Sequence, residues 1–213
     1  MKILVALIEH IGDIIACEPV ARYLKKKFPE SNLTWIISRK FRPLVAHNPF
    51  IDHVIEVECL TDWIKIANHT DADLVVDLHV NYRVCECCRI PLIKRHGNPF
   101  VSAYEWLDYG PLLQAFSIGA GLPPISAAPK IYLPEHVLES VSQLNLAQPY
   151  CVIHRTSNSP IKDWTDEKWA ELVRKIKENH GIDVIEIGNA KTSESSLGNL
   201  VTNLINKTDL LSL

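Results

Sequence analysis

The chain opens on an uninterrupted apolar run, residues 2–8. It then passes into a stretch, 13–28, where Ile14, Cys17, Ala21, Leu24 and Phe28 recur at spacings of three and four. The first pattern is that of a strand buried on both faces, the second that of an amphipathic helix. The alternation repeats, with strands predicted over 33–38, 53–57 and 73–78, a short helix around 42–46 and another over 62–68. Pro19 falls inside the first helical pattern, where it either kinks the helix or marks its first regular turn. Strands apolar along their length with helices between them predict an open, parallel α/β sheet.

The rhythm then breaks. Residues 104–118 read as helical, and "GAGLPPISAAPKIYLP" (119–134) is rich in Gly, Pro and small residues. A short strand over 130–133 and a helix over 135–144 follow. Alternation resumes with a strand over 150–154, a helix over 165–179, a strand over 183–187 and a helix near 193–205. Such a break predicts two α/β domains, 1–146 and 147–213. The second contains only two clear strands, against about five or six in a doubly wound domain, so it is read as incomplete, with an under-covered apolar face or edge.

Composition narrows the function. With 213 residues, 47 % of them hydrophobic, and a net charge of −3, the chain can bury a substantial core and lacks the basic excess of a nucleic-acid protein. Lys25-Lys26-Lys27 reads as the solvated face of the first helix; a weak attraction to anionic lipid is the alternative, compatible with peripheral contact with the inner face of the cytoplasmic membrane. No run reaches the length of a membrane span and no export signal is evident, so the cytoplasm is the expected compartment. The six cysteines, at 17, 59, 85, 87, 88 and 151, are then expected to be reduced thiols. Cys85, Cys87 and Cys88 invite a metal reading, but C-x-C-C lacks the usual zinc spacing; the expectation is a helix carrying small, partly buried thiols and no metal.

Three stretches carry candidate chemistry. Gly12-Asp13 lies just beyond the first strand's carboxyl end, where open parallel sheets bind ligands. It is neither a dinucleotide fingerprint nor a P-loop, and Asp13 is either chemical or simply the N-cap of the next helix. "HRTSNSPIKDW" (154–164) offers Thr156, Ser157, Asn158, Ser159 and Lys162 ahead of a helix. That set suits a phosphate or pyrophosphate, or else forms an ordinary polar loop with Thr165 as the cap. "DLHVNYR" (77–83) places Asp77, His79, Asn81 and Arg83 at another strand end. They either face the cleft and hold sugar hydroxyls or an anionic acceptor, or bond to loop amides and solvent. His79 as a base would need an orienting carboxylate, which the sequence alone does not supply.

These motifs, in this order, resemble family 9 glycosyltransferases, the bacterial ADP-heptose:lipopolysaccharide heptosyltransferases. The resemblance rests on "MKILV…IGDIIACEPVARYLKKKFPESNLTWIIS", "HNPFIDHVIEV", "ADLVVDLHVNYR" and "YCVIHRTSNSPIKDWTDEKWAEL", and spans nearly the whole chain. It implies a GT-B-like fold of two facing Rossmann-like domains, the first holding the acceptor and the second, here incomplete, the nucleotide-sugar. It implies Asp13 as general base, Thr156, Ser157 and Lys162 as donor-phosphate contacts, and His10, Gly12, His79 and Arg83 on the acceptor side. Glu9-His10 stands where the family commonly has Ser-Ser. The family also continues past "NKTDLLSL" (206–213) into a glycine-rich Asp-Ser/Thr-Gly segment that grips the donor phosphates and is not in this sequence.

The implied reaction is an inverting transfer of a heptose-like sugar from a nucleotide diphosphate, expected to be ADP-heptose, to a glycolipid or saccharide acceptor of the lipopolysaccharide-core type. A single displacement needs one base, whereas hydrolysis of a glycoside uses two carboxylates. No cofactor and no metal are implied. The alternatives are a non-catalytic nucleotide-sugar or glycan-binding remnant, and a GT-B-like nucleotide-sugar epimerase.

Overall fold

The computed structural model describes residues 1–157, 160–190 and 193–212. Its first four strands, β1 (Lys2–Ala6), β2 (Asn32–Ser38), β3 (His53–Val57) and β4 (Leu74–Asp77), form one sheet in the order β3-β2-β1-β4. All pairs are parallel, with Ile3 opposite both Leu33 and Leu74. β1 and β2 lie inside the sheet, which is why Ile3, Val5, Leu33, Trp35, Ile36 and Ile37 are all completely buried. Each such aliphatic side chain removed from water contributes ~1.5–3 kcal/mol.

The helix predicted over 13–28 is two helices, α1 (Ile11–Cys17) and α2 (Pro19–Lys27), with Pro19 in the first turn of α2. Proline is tolerated there because an amide in the first turn has no partner within its helix. The short α3 (Pro43–Ala46) and α4 (Leu60–His69) complete the alternation. Glu18, at the α1–α2 joint, is buried and accepts hydrogen bonds from Arg22, Asn48, the Lys130 amide and the Tyr132 hydroxyl. The Lys130 N–H thus finds a side chain instead of a strand, and the strand predicted over 130–133 does not form.

Between β4 and residue 111 the backbone is irregular, pinned by isolated bridges between Asn81 and Ser102 and between Val84 and Pro91. Residues 86–88 lie in a turn, which corrects the expected thiol-bearing helix. The helix predicted over 104–118 is replaced by a 3-10 turn, Trp106–Tyr109, and α5 (Leu112–Gly119). Gly110, at φ 102°, and Pro111 separate the two.

The chain divides into two compact units between Tyr132 and Leu133. The boundary predicted at 146/147 shifts because α6 (Glu135–Ser142) groups with the second unit. There β5 (Tyr150–Ile153), α7 (Asp166–His180), β6 (Asp183–Glu186) and β7 (Thr202–Asn203) build a parallel sheet of order β5-β6-β7. Ile153, Val173, Val184, Leu197 and Val201 form its core. The helix predicted near 193–205 is instead a 3-10 turn, Gly198–Leu200, and β7. Asn203 Nδ2 donates to the Ser193 carbonyl, and the Ala190 amide to Asn206 Oδ1. Short polar side chains that capture backbone groups in this way compete with a helix. One apolar face stays under-covered: Val152 is 48 % exposed, beside a cavity of about 230 Å³ lined by Leu138, Val141, Tyr150, Ile185 and Leu204.

Candidate active site

Past β1 the backbone still follows the sheet, with Leu7 N–H on the Ile36 carbonyl and Ser38 N–H on that of Ile8. It then turns sharply at His10, whose φ of 68° is uncommon for a residue with a side chain. The turn sends Glu9 inward and opens α1 at Ile11. His10 is the N-cap residue, so Asp13 falls in the first helical turn and makes no capping bond. The N-cap reading of Asp13 is therefore corrected.

The Asp13 carboxylate is largely buried, with Oδ2 3.7 Å from Arg83 Nη1. Burial pushes its pKa above the ordinary carboxylate range, and the charges of Arg83, His10 and His79 pull the other way. His10 Nε2 lies 3.6 Å from Glu86 Oε1. Gly12, exposed in α1, has an ordinary φ, and a Cβ added there would meet nothing within 4 Å. Neither backbone nor packing demands a glycine, and the space above it is open. The structure thus groups Asp13 with Arg83, and places His10 and His79 within electrostatic reach of it.

His79 does not face solvent. It is 3 % exposed, with Nδ1 2.8 Å from Asp77 Oδ1, and Nε2 accepts the Ile8 N–H at 3.1 Å. Nδ1 therefore carries the proton, and both nitrogens are engaged. Asp77, just as buried, also accepts from Trp63 Nε1 at 3.1 Å. Burial raises the Asp77 pKa, but the hydrogen bond from His79, with Lys94 and Trp63, holds it below the ordinary range. The carboxylate that sequence did not supply for His79 is thus Asp77, two residues away. The pair ties the end of β1 to the end of β4 beneath Asp13. Lys94, also buried, donates to the carbonyls of Asp77 and Gly119 at 2.7 Å each. Burial lowers its pKa to about 8.

Close by, Glu9, Arg39, Lys40, Glu58, Glu86 and Cys87 line a cleft of about 520 Å³ past the carboxyl ends of β1, β2 and β3. Parallel sheets bind ligands at that end. The inward approach of Glu9 had no sequence signal, since it depends on the turn at His10 and on the irregular chain after β4.

In the second unit, Thr156, Ser157 and Lys162 stand on the loop between β5 and α7. Asn158 and Ser159 lie outside the described residues. Thr156 and Lys162 are exposed, Lys162 ends a 3-10 turn, Pro160–Lys162, and Asp163 Oδ1 accepts the Ser157 amide at 2.9 Å. Thr165 is the N-cap position of α7, without a side-chain capping bond. Arg155 is mostly buried, held by Glu186 and Asp166 at 2.6 Å each. Its positive charge is therefore neutralised within the fold, while Lys162 makes no ion pair among the described residues.

Two α/β units in one chain, each built on a parallel sheet, have a GT-B-like fold. Among solved structures, the chain is similar to a family 9 glycosyl transferase from Veillonella parvula DSM 2008, at 18 % identity and TM-score 0.64 over 99 % of this chain and 70 % of that one. It is also similar to the E. coli ADP-heptose lps heptosyltransferase II, at 18 % identity and TM-score 0.67 over 100 % and 75 % of the two chains. E. coli heptosyltransferase WaaC with ADP is a third, at 17 % identity and TM-score 0.58 over 89 % and 67 %. No family model and no curated protein matches the sequence.

Proposed function

We propose that the chain is a glycosyltransferase that moves a heptose-like sugar from a nucleotide diphosphate, ADP-heptose by preference, to a hydroxyl of a lipopolysaccharide-core-type acceptor with inversion. The observation that carries this reading is Asp13. It is a carboxylate that accepts no hydrogen bond among the described residues, its pKa raised by burial, at the strand end of a fold shared with heptosyltransferases. A base of this kind accepts the acceptor's proton as its oxygen attacks the anomeric carbon. Arg83 keeps Asp13 ionised against burial, and the open space over Gly12 admits the acceptor. The Asp77–His79 pair positions this edge and takes no proton, since His79 Nε2 is already occupied.

On the donor side, Lys162, Thr156 and Ser157, with the amino end of α7, stabilise the charge that grows on the leaving diphosphate. Lys162 is the chief positive group in this role because Arg155 is already neutralised. The expected setting is the cytoplasm with peripheral contact at the inner membrane surface. No helix among the described residues is long and apolar enough to cross a membrane. Titration of ADP, ADP-heptose and adenosine, followed by product analysis with and without acceptor, tests the proposal. Binding of the diphosphates with acceptor-dependent turnover is expected. Binding without turnover would favour a nucleotide-sugar-binding remnant, and turnover without acceptor an epimerase.

A further inference from the structure

Three cysteines distant in sequence converge in the first unit. The sulfurs of Cys59, Cys85 and Cys88 all lie within 4.8 Å of one another. Cys59 is the N-cap residue of α4, Cys85 precedes the turn after Val84 and Cys88 ends it. Tetrahedral zinc, with zinc–sulfur bonds of ~2.3 Å, spaces its sulfurs ~3.8 Å apart, so small side-chain adjustments bring all three onto one ion. Thr61 Oγ1 lies 3.2 Å from Cys88 Sγ. Cys59 stands at the positive end of the α4 dipole.

Glu9 points independently to a cation site here. It is 8 % exposed, and its Oε1 lies 3.6 Å from Cys85 Sγ. Its other oxygen is buried with no hydrogen-bond partner among the described residues. A buried carboxylate oxygen without a partner is costly, and more so beside sulfur, unless positive charge sits nearby.

We propose that Cys59, Cys85 and Cys88 bind one zinc ion, with the exposed Cys87, whose thiol is hydrogen-bonded to that of Cys59, turning in to the fourth vertex. Each thiol releases its proton to solvent as its zinc–sulfur bond forms, and no electrons are exchanged. The ion fastens the turn to the start of α4, two residues from Arg83. The C-x-C-C spacing gave no metal signal because one ligand comes from a different loop, before α4.

The test is titration of the reduced, metal-free full chain with cobalt(II). One equivalent is expected to bind with thiolate-to-metal charge transfer and the visible bands of a tetrahedral site. Cys59→Ser, Cys85→Ser and Cys88→Ser should abolish these bands, and Cys151→Ser should keep them. Alkylation mapped by mass spectrometry on the unmodified chain needs no variant to fold: zinc should shield Cys59 and Cys88 and leave Cys151 unchanged. Cobalt binding without thiolate bands, or equal alkylation of Cys59 and Cys88 with and without zinc, would overturn the site.

Discussion

At Asp13 the proposed chemical role and a structural role predict different effects on stability. Its folded pKa lies above the unfolded one, so between the two values the native state binds more protons than the unfolded chain. Stability is therefore lost as pH rises through that window, and the loss persists at neutral pH. Asp13→Asn should keep or slightly raise the melting temperature at pH 7, with the difference shrinking as the pH falls toward the carboxylate range. A drop of several degrees at pH 7 would show that the charge is structural. Gly12→Ala should add up to ~1 kcal/mol through helix propensity while raising the acceptor KM, because the new methyl enters the open space. An unchanged KM would remove Gly12 from the acceptor surface. Lys162→Ala should weaken ADP binding by about 1.5–3 kcal/mol, as for a lost charge-assisted hydrogen bond, and leave adenosine nearly unaffected. Equal losses for both would exclude a phosphate contact.

At the level of elements, Glu18 joins α1, α2 and the 128–132 segment through one buried carboxylate. Glu18→Ala should cost ~2–3 kcal/mol, less than a fully buried pair because Arg22 regains water, and denaturant melts measure it. β1 and β2 were legible because continuous apolar runs identify strands covered on both faces, and β3 to β6 because shorter apolar runs alternate with helical stretches. His53–Val57 was found to the residue, and Pro19 marked the start of α2. What misled were segments whose backbone bonds go to distant side chains. Lys130 answers to Glu18, and the stretch near 193–205 to Ser195, Asn203 and Asn206. Periodicity reports which face is apolar and is blind to such partners. The candidate site was legible where its residues neighbour a strand end, as Asp13 and Lys162 do. It was not where it depends on tertiary approach, as for Glu9, Cys59 and the burial of His79.

Across the whole molecule, both units follow one rule: a parallel sheet with a polar loop at its carboxyl edge, the end at which parallel sheets meet ligands. In the first unit that edge holds Asp13 beside Arg83, and in the second Lys162, which makes no ion pair among the described residues. The resemblance to solved heptosyltransferases is one of fold, and the reaction rests on what Asp13 does. The most direct measurement is acceptor-dependent ADP release from ADP-heptose by the chain and by Asp13→Asn, with donor affinity measured in parallel. The expected result is a fall of about 10²–10⁴-fold in the variant at unchanged donor affinity, and a wild-type rate that rises with pH through a pKa above the ordinary aspartate value. Equal release by the two proteins, or donor bound by the wild type with no acceptor-dependent release at all, would contradict Asp13 as the base of a glycosyl transfer.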